Sequence, residues 1–337
     1  MVEGGHLGFA LSYVIMLGRL FVLSLLLFFG VSSAQSVRVG LGYLPDVQFA
    51  PFYTAAVEGF YEAQGLEVEF QHGFVTELYP LLAQGRLDFV VGDAEDVINL
   101  RSQDEQGAAF KYIMAMYQRV PNALFAKANA GIDTLDDLRG KRLGIPGLFG
   151  TSYTSLQAML EAAGLSEDDL TIEQIGFTQV EAVLSGRVDA AMGFINNEPI
   201  ILGQQGIEVS VIRAGDYNVS AGNGVITTDT VLEDEDLVRR FLAASQEGMA
   251  LTIAEPEQAF EAAKTFVENL GDERMDVLMS SIELYTSDYS EANGLGFSDP
   301  AGWMATLELL QRTGRVETEL PAETFFSNDY LMPNAGN

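Results

Sequence analysis

Gly85-Arg86-Leu87-Asp88-Phe89-Val90-Val91-Gly92 returns later in the chain as Gly186-Arg187-Val188-Asp189-Ala190-Ala191-Met192-Gly193. Each copy follows an apolar stretch at helical spacing, Leu78, Leu81 and Leu82 in the first and Val180, Val183 and Leu184 in the second. The leading glycine stands where a helix ends in a left-handed residue. The apolar run after each aspartate reads as a strand buried on both faces. A helix that stops at glycine and feeds a central strand, written twice about one small domain apart, predicts two similar α/β lobes rather than a periodic solenoid. Two lobes imply a cleft.

Toward the N-terminus, Val37 to Leu41 reads as a first strand, Pro51-Phe52-Tyr53 opens a helix closed at Gln64-Gly65, and Leu66 to Phe70 is the next strand. After the loop Gly73 to Glu77, the first copy ends in Gly92-Asp93-Ala94-Glu95-Asp96. This β-α-β-α-β order makes a right-handed, mainly parallel sheet the expectation. Tyr112 to Tyr117 and Ala123 to Lys127 continue as strands, and Lys141 to Ile145 opens a second series. There the glycine-rich turn Gly147 to Ser152 runs into a helix at Tyr153 to Ala163, whose N-terminus exposes free N–H groups. A strand at Leu170 to Ile175 and a helix at Gln179 to Leu184 lead to the second copy. Val209 to Ile212 is another strand, and Gly224 to Thr228 is the return strand. Beyond it come helices at Leu237 to Ile253, Pro256 to Asn269, Glu273 to Leu284 and Pro300 to Thr313. The second lobe (123–224) is thus expected as an insertion in the first (35–122 and 225–337). Crossings near Val120 to Leu124 and Asn218 to Gly224 would form a two-strand hinge.

Leu20 to Gly30 is an apolar core too short to span a bilayer comfortably, preceded by Arg19 and followed by Ser32-Ser33-Ala34. Residues 1–34 read as a secretory signal cleaved after Ala34, with Met16 a more conventional start than Met1. The apolar Leu7 to Ile15 leaves an uncleaved anchor as the alternative. The body is expected in a periplasm. The chain has no cysteine, which excludes disulfides, thiolate catalysis, Cys-ligated metal and a lipid-modified N-terminal Cys. Its 48 acids against 18 bases give a net charge of −30, a surface that repels nucleic acid and acidic membranes. With no basic cluster in sight, a strongly anionic ligand is disfavoured.

The opening Gly42-Tyr43-Leu44-Pro45-Asp46-Val47-Gln48-Phe49-Ala50-Pro51-Phe52-Tyr53, with Gly59-Phe60-Tyr61 and Gly65-Leu66-Glu67-Val68-Glu69, resembles the solute-binding proteins of ABC importers. The branch is the one that holds thiamine-pyrimidine, riboflavin and alkanesulfonate binders. The paired Gly-Arg-x-Asp strands, Asp136-Leu138-Gly140-Lys141 and the turn Gly147 to Thr151 are similar too. The resemblance runs from about Ser36 to Thr313, and Val47 to Tyr53 is more like the riboflavin binders than the pyrimidine binders. It implies a two-lobed periplasmic-binding-protein fold of type II. It further implies a monomer that closes on riboflavin, or alternatively on a thiamine pyrimidine precursor, and hands it to a permease and its ATPase.

A flavin needs a slot with aromatic walls and amide-type partners for its uracil-like edge and ribityl hydroxyls. The topology that the resemblance implies puts the candidate groups at C-terminal strand ends, where open α/β sheets bind ligands. From lobe one these offer Tyr43, Asp46, Gln48, Phe49 and Phe52, then Phe74, Thr76 and Glu77, then Asp93 and Asp96, with Tyr117 and Gln118 at the crossing. Lobe two offers Phe149, Thr151, Ser152, Phe194, Asn196, Asn197 and Glu198. Phe49 and Phe52 could equally be core, Thr151 and Ser152 could cap their helix, and Asn196 and Asn197 could make the turn before Pro199.

Other classes fare worse. The pyrimidine synthase that shares the fold is marked by a cysteine-rich motif and a reactive histidine, whereas the only histidines here are His6 and His72. No serine elbow or P-loop lysine is present. A transcription-factor effector domain would follow a helix-turn-helix rather than a leader. Scattered acids make no metal-ligand spacing. No cofactor and no enzymatic activity are expected.

Overall fold

The computed structural model describes residues 34–103, 109–217 and 221–334. The expected leader therefore lies outside the described residues, as do positions 218–220 of the second expected crossing. Everything below concerns the unit Ser36–Asn337.

In chain order the strands are β1 (Gln35–Leu41), β2 (Leu66–His72), β3 (Phe89–Asp93), β4 (Phe110–Ala115), β5 (Asn122–Lys127), β6 (Arg142–Ile145), β7 (Thr171–Gln174), β8 (Ala190–Phe194), β9 (Val209–Arg213) and β10 (Asn223–Thr228). They form two five-stranded sheets, ordered β2-β1-β3-β10-β4 and β7-β6-β8-β5-β9. The protein is a two-lobed α/β structure, and the orders match position for position. The central strand runs parallel to one neighbour, β3 to β1 and β8 to β6, and antiparallel to the other, β3 to β10 and β8 to β5. Antiparallel pairing thus takes a larger share than the βαβ pattern alone implies, because the strand that follows each crossing, β5 or β10, runs against both of its neighbours.

The repeated segment shows why. Gly85 and Gly186 adopt left-handed φ values of 67° and 71°, ending the helices Val75–Ala83 and Gln179–Leu184. After Gly85 the Arg86 N–H reaches back to the Leu81 carbonyl at 2.8 Å. The repeated aspartates then act as staples. Asp88 accepts from the backbone N–H of Arg38 at 2.8 Å and from its guanidinium at 2.9 Å, joining β3 to β1. Asp189 does the same to Arg142 on β6, at 2.8 and 2.6 Å. The Arg142 hydrogen bond holds the Asp189 carboxyl below its ordinary pKa.

Past each staple, side chains alternate between faces. Phe89 and Val91 enter one core cluster and Val90 another; Ala190 and Met192 enter one and Ala191 another. Helices cover both faces of each sheet, as the continuous apolar runs require. Helices differ from expectation in several places: the one opened at Pro51 breaks at Gly59, whose φ is 76°, into Ala50–Val57 and Phe60–Ala63, and Ala94–Gln103 and Glu198–Gln204 are helices where none was expected. The helix after β6 starts at Gly150, so the glycine-rich turn is already its first turn. The helix from Pro256 stops at Ala263, ahead of the poor helix formers Thr265, Phe266 and Val267, where Phe266 stacks on Tyr53. A short helix, Asp288–Asn293, was not expected from the sequence; its capping box of Ser287 and Ser290 starts it. Among the described residues no helix is long and apolar enough to cross a membrane.

Candidate functional site

The C-terminal ends of the two sets of strands face one cleft of about 900 Å³, counted to its open mouth. Its rim is aromatic. Tyr43, from the loop after β1, meets Phe177 edge-on at 4.7 Å and 72°. Phe74, after β2, lies flat against Phe177 at 4.8 Å and 5°. Phe177 itself follows β7, so these contacts join the lobes. Phe149, 43% exposed, covers Gly147 at the mouth, where a Cβ would collide with its ring. Deeper in, Phe49 sits edge-on to Tyr53 and His72, at 6.4 and 5.6 Å, on a 3-10 turn, Val47–Phe49. Burial, reinforced by the charges of Glu198 and Asp46, pushes the Tyr43 hydroxyl above its ordinary pKa, which keeps it a neutral donor.

The polar lining gathers at two carboxylates. Asp93, at the end of β3, accepts from the Asn223 amide and stands 3.5 Å from both the backbone N–H and the hydroxyl of Thr151. Register explains the first pairing, since Asn223 is directly opposite Asp93 in the β3–β10 ladder. Burial raises the Asp93 carboxyl to about 6. Asn223 Oδ1 is buried and has no hydrogen-bond partner among the described residues. Glu198 opens the helix Glu198–Gln204 and accepts from the Phe194 N–H at 2.8 Å and from Asn197 at 3.3 Å. Burial raises its carboxyl to about 7. Among the described residues neither group has a lysine or arginine in an ion pair with it, so each is suited to accept a hydrogen bond from a neutral guest. Among the described residues no group of three or more His, Asp or Glu side chains could hold a metal ion.

Of the expected site residues, Tyr43, Gln48, Phe49, Phe74, Asp93, Tyr117, Phe149, Thr151, Ser152, Phe194, Asn197 and Glu198 line this cleft. The others stand elsewhere. Asp46 is spent locally: it caps the 3-10 turn through the Val47 N–H at 2.7 Å, holds Gln48 at 2.8 Å and pairs with Arg274 at 2.6 Å. Phe52 is wholly buried in the first-lobe core. Thr76 and Glu77 point to solvent on the helix Val75–Ala83. Asp96 lies behind Asp93 beside Tyr79, and burial together with the Asp93 and Glu95 charges raises it well above its ordinary pKa. Gln118 accepts from Ser287 at 3.1 Å outside the cleft. Asn196 is buried under it, donating to Tyr117 at 3.1 Å and Ser281 at 2.7 Å.

Sequence reasoning passed over Phe177, Gln179 and Asn223 on the lining and Arg274 beneath it. The Arg274 guanidinium ties Asp46 to Asn197 across the lobes, donating to Asn197 at 3.0 Å. Phe177 had a signal: Gly176-Phe177 follows β7 with one residue between, much as Gly73-Phe74 directly follows β2. Asn223 and Arg274 had none, because their partners are remote in the chain.

Residues 46–259 match the family described as NMT1/THI5 like. The chain is 36% identical to the riboflavin-binding protein RibY of Chloroflexus aurantiacus over 302 residues, 88% of this chain and 86% of that one. It is 25% identical to the formylaminopyrimidine-binding protein of Halalkalibacterium halodurans over 309 residues, covering 87% and 90% of the two. In three dimensions it is similar to the periplasmic aliphatic sulphonate binding protein SsuA from Escherichia coli, with a TM-score of 0.65 at 17% identity, covering 86% and 91% of the chains.

Proposed function

We propose that this chain, which belongs to the NMT1/THI5-like family, is the extracytoplasmic receptor of an ABC importer and that its solute is riboflavin. It is a solute-binding protein and not an enzyme, in keeping with its binding-protein relatives and its fold. The observation that carries the riboflavin reading is the likeness to the Chloroflexus riboflavin binder along nearly the whole chain. The cleft supports it chemically. An isoalloxazine has two flat apolar faces, and the rim supplies Tyr43, Phe74, Phe149 and Phe177. Its uracil-like edge carries one N–H between two carbonyls. Asp93 and the unpaired Asn223 Oδ1 are acceptors for that N–H, and Gln48, Ser152 and Thr151 offer donors and acceptors to the rest. Delivery to a permease and its ATPase, export through the 1–34 leader to a periplasm and a monomeric state complete the reading.

The test is a titration of purified residues 35–337 with riboflavin, followed by flavin fluorescence. Saturable quenching is expected. No flavin response, together with a rise in melting temperature on adding formylaminopyrimidine, would instead support the reading suggested by the Halalkalibacterium relative.

A further inference from the structure

We infer that Phe74 and Phe177 are the two jaws of one aromatic clamp, duplicated with the lobes, and that the guest's ring system is held between their faces. This rests on the riboflavin reading above and assigns the residues that grip the tricycle. Three observations carry it. First, the two rings stand on corresponding loops, one residue out of step: Phe74 lies two residues past β2 and directly before the helix Val75–Ala83, Phe177 three past β7 and two before Gln179–Leu184, each after a glycine. Second, they come from different lobes, so the gap between them changes when the lobes move and neither core has to be disturbed. Third, their planes lie within 5° of parallel at a centroid separation of 4.8 Å. A pair that only sealed the mouth could meet at any angle. Parallel faces have the orientation needed to admit a third flat ring, for which they must part to roughly 7 Å, twice the carbon contact distance. Tyr43, edge-on to Phe177, sets the tilt of that jaw.

Phe74 is 41% exposed and Phe177 half-buried, so neither is needed by the core, and truncating either leaves the fold intact. Their stack on each other covers apolar faces that the guest's ring covers when it is bound. The jaws are therefore selective for a guest that is flat and apolar on both faces.

The experiment measures riboflavin and lumichrome affinity by fluorescence quenching for wild type, Phe74→Ala, Phe177→Ala, the double variant and Phe177→Tyr, with the exposed Met304→Ala as control. Lumichrome keeps the three rings and lacks the ribityl chain. Each single alanine is expected to weaken both ligands by the same factor, roughly tenfold to a hundredfold, at unchanged melting temperature. Phe177→Tyr retains binding, and the double variant loses close to the product of the two single losses, because each jaw covers its own face of the guest. A double variant no weaker than either single one would mean that the rings only stack on each other, and the clamp falls while the riboflavin reading stands. The clamp also falls if Phe177→Ala binds within twofold of a wild type that does bind. A wild type silent to both flavins overturns the riboflavin reading, and the clamp with it.

Discussion

In the first lobe Asp88 staples β3 to Arg38 on β1, and in the second Asp189 staples β8 to Arg142 on β6, with nearly the same distances. At the other end of the same strands the likeness stops. β3 ends in Asp93, paired with Asn223 from the return strand; β8 ends in Phe194 and is followed, four residues on, by Glu198 over the backbone of its own loop. The first lobe also carries the helices Glu235–Ala254 and Pro256–Ala263, packed on Ala50–Val57, which the second lobe lacks. Duplication has thus preserved what holds each sheet together, while the strand ends that face the cleft have diverged. Where the two halves agree, the residues serve the frame. Where they differ, they line the cleft, with the Gly-Phe pair as the exception that is repeated on the cleft side.

The largest effect that separates the halves lies in that extra helical cover. Phe52→Ala removes a wholly buried ring from the first-lobe core and is expected to lower stability by about 3–5 kcal/mol. Denaturant unfolding followed by both tyrosine fluorescence and far-ultraviolet circular dichroism checks this. If the lobes unfold in separate steps, only one step should shift; an unshifted curve would contradict the burial.

Next comes the second-lobe carboxylate. The folded chain raises Glu198 from an ordinary 4.5 to about 7. Between those values the folded protein keeps a proton that the unfolded chain has released. Stability is therefore greatest below about pH 4.5 as far as this group is concerned, falls as pH rises, and levels off above about 7. Glu198→Gln should reduce the fall in stability between pH 5 and 8 by an amount on the order of 3 kcal/mol, read from denaturant unfolding, leaving the shares of Asp93 and Asp96. A pH profile identical to wild type would show that Glu198 is not the group responsible.

The smallest effect tests the shared frame. Asp88, with its side chain 18% exposed, should cost more to lose than Asp189 at 31%. Each change strands a backbone N–H, partly buried at Arg38 and exposed to water at Arg142, so we expect about 1–3 kcal/mol for Asp88→Ala and about 1 kcal/mol or less for Asp189→Ala. Equal losses, or a larger one at Asp189, would break the ordering by exposure.

The frame was legible because its signals are local: a glycine after a helix, an aspartate before an apolar run, and the same words repeated. The cleft was legible in part, for the same reason. Tyr43, Phe74, Asp93, Phe149 and Glu198 all stand one to five residues beyond a readable strand end, and topology brings such ends together. Asp46, five residues past β1, satisfies that rule, and Phe52 stands on the helix that follows the same loop, yet one faces Arg274 and the other the core. Their surroundings come from the C-terminal helices, far along the chain.

From its residues alone, then, the chain determined two α/β lobes, an anionic surface and chemistry without thiols, since backbone conformation, strand burial and charge depend on near neighbours and composition. The tertiary structure decided which polar groups were already taken. Asp46 is held by Arg274, and Asn196 by Tyr117 and Ser281, while Asp93 and Glu198 remain turned to the cleft. A buried polar group must find partners wherever folding brings them, and that pairing is written in space rather than along the chain.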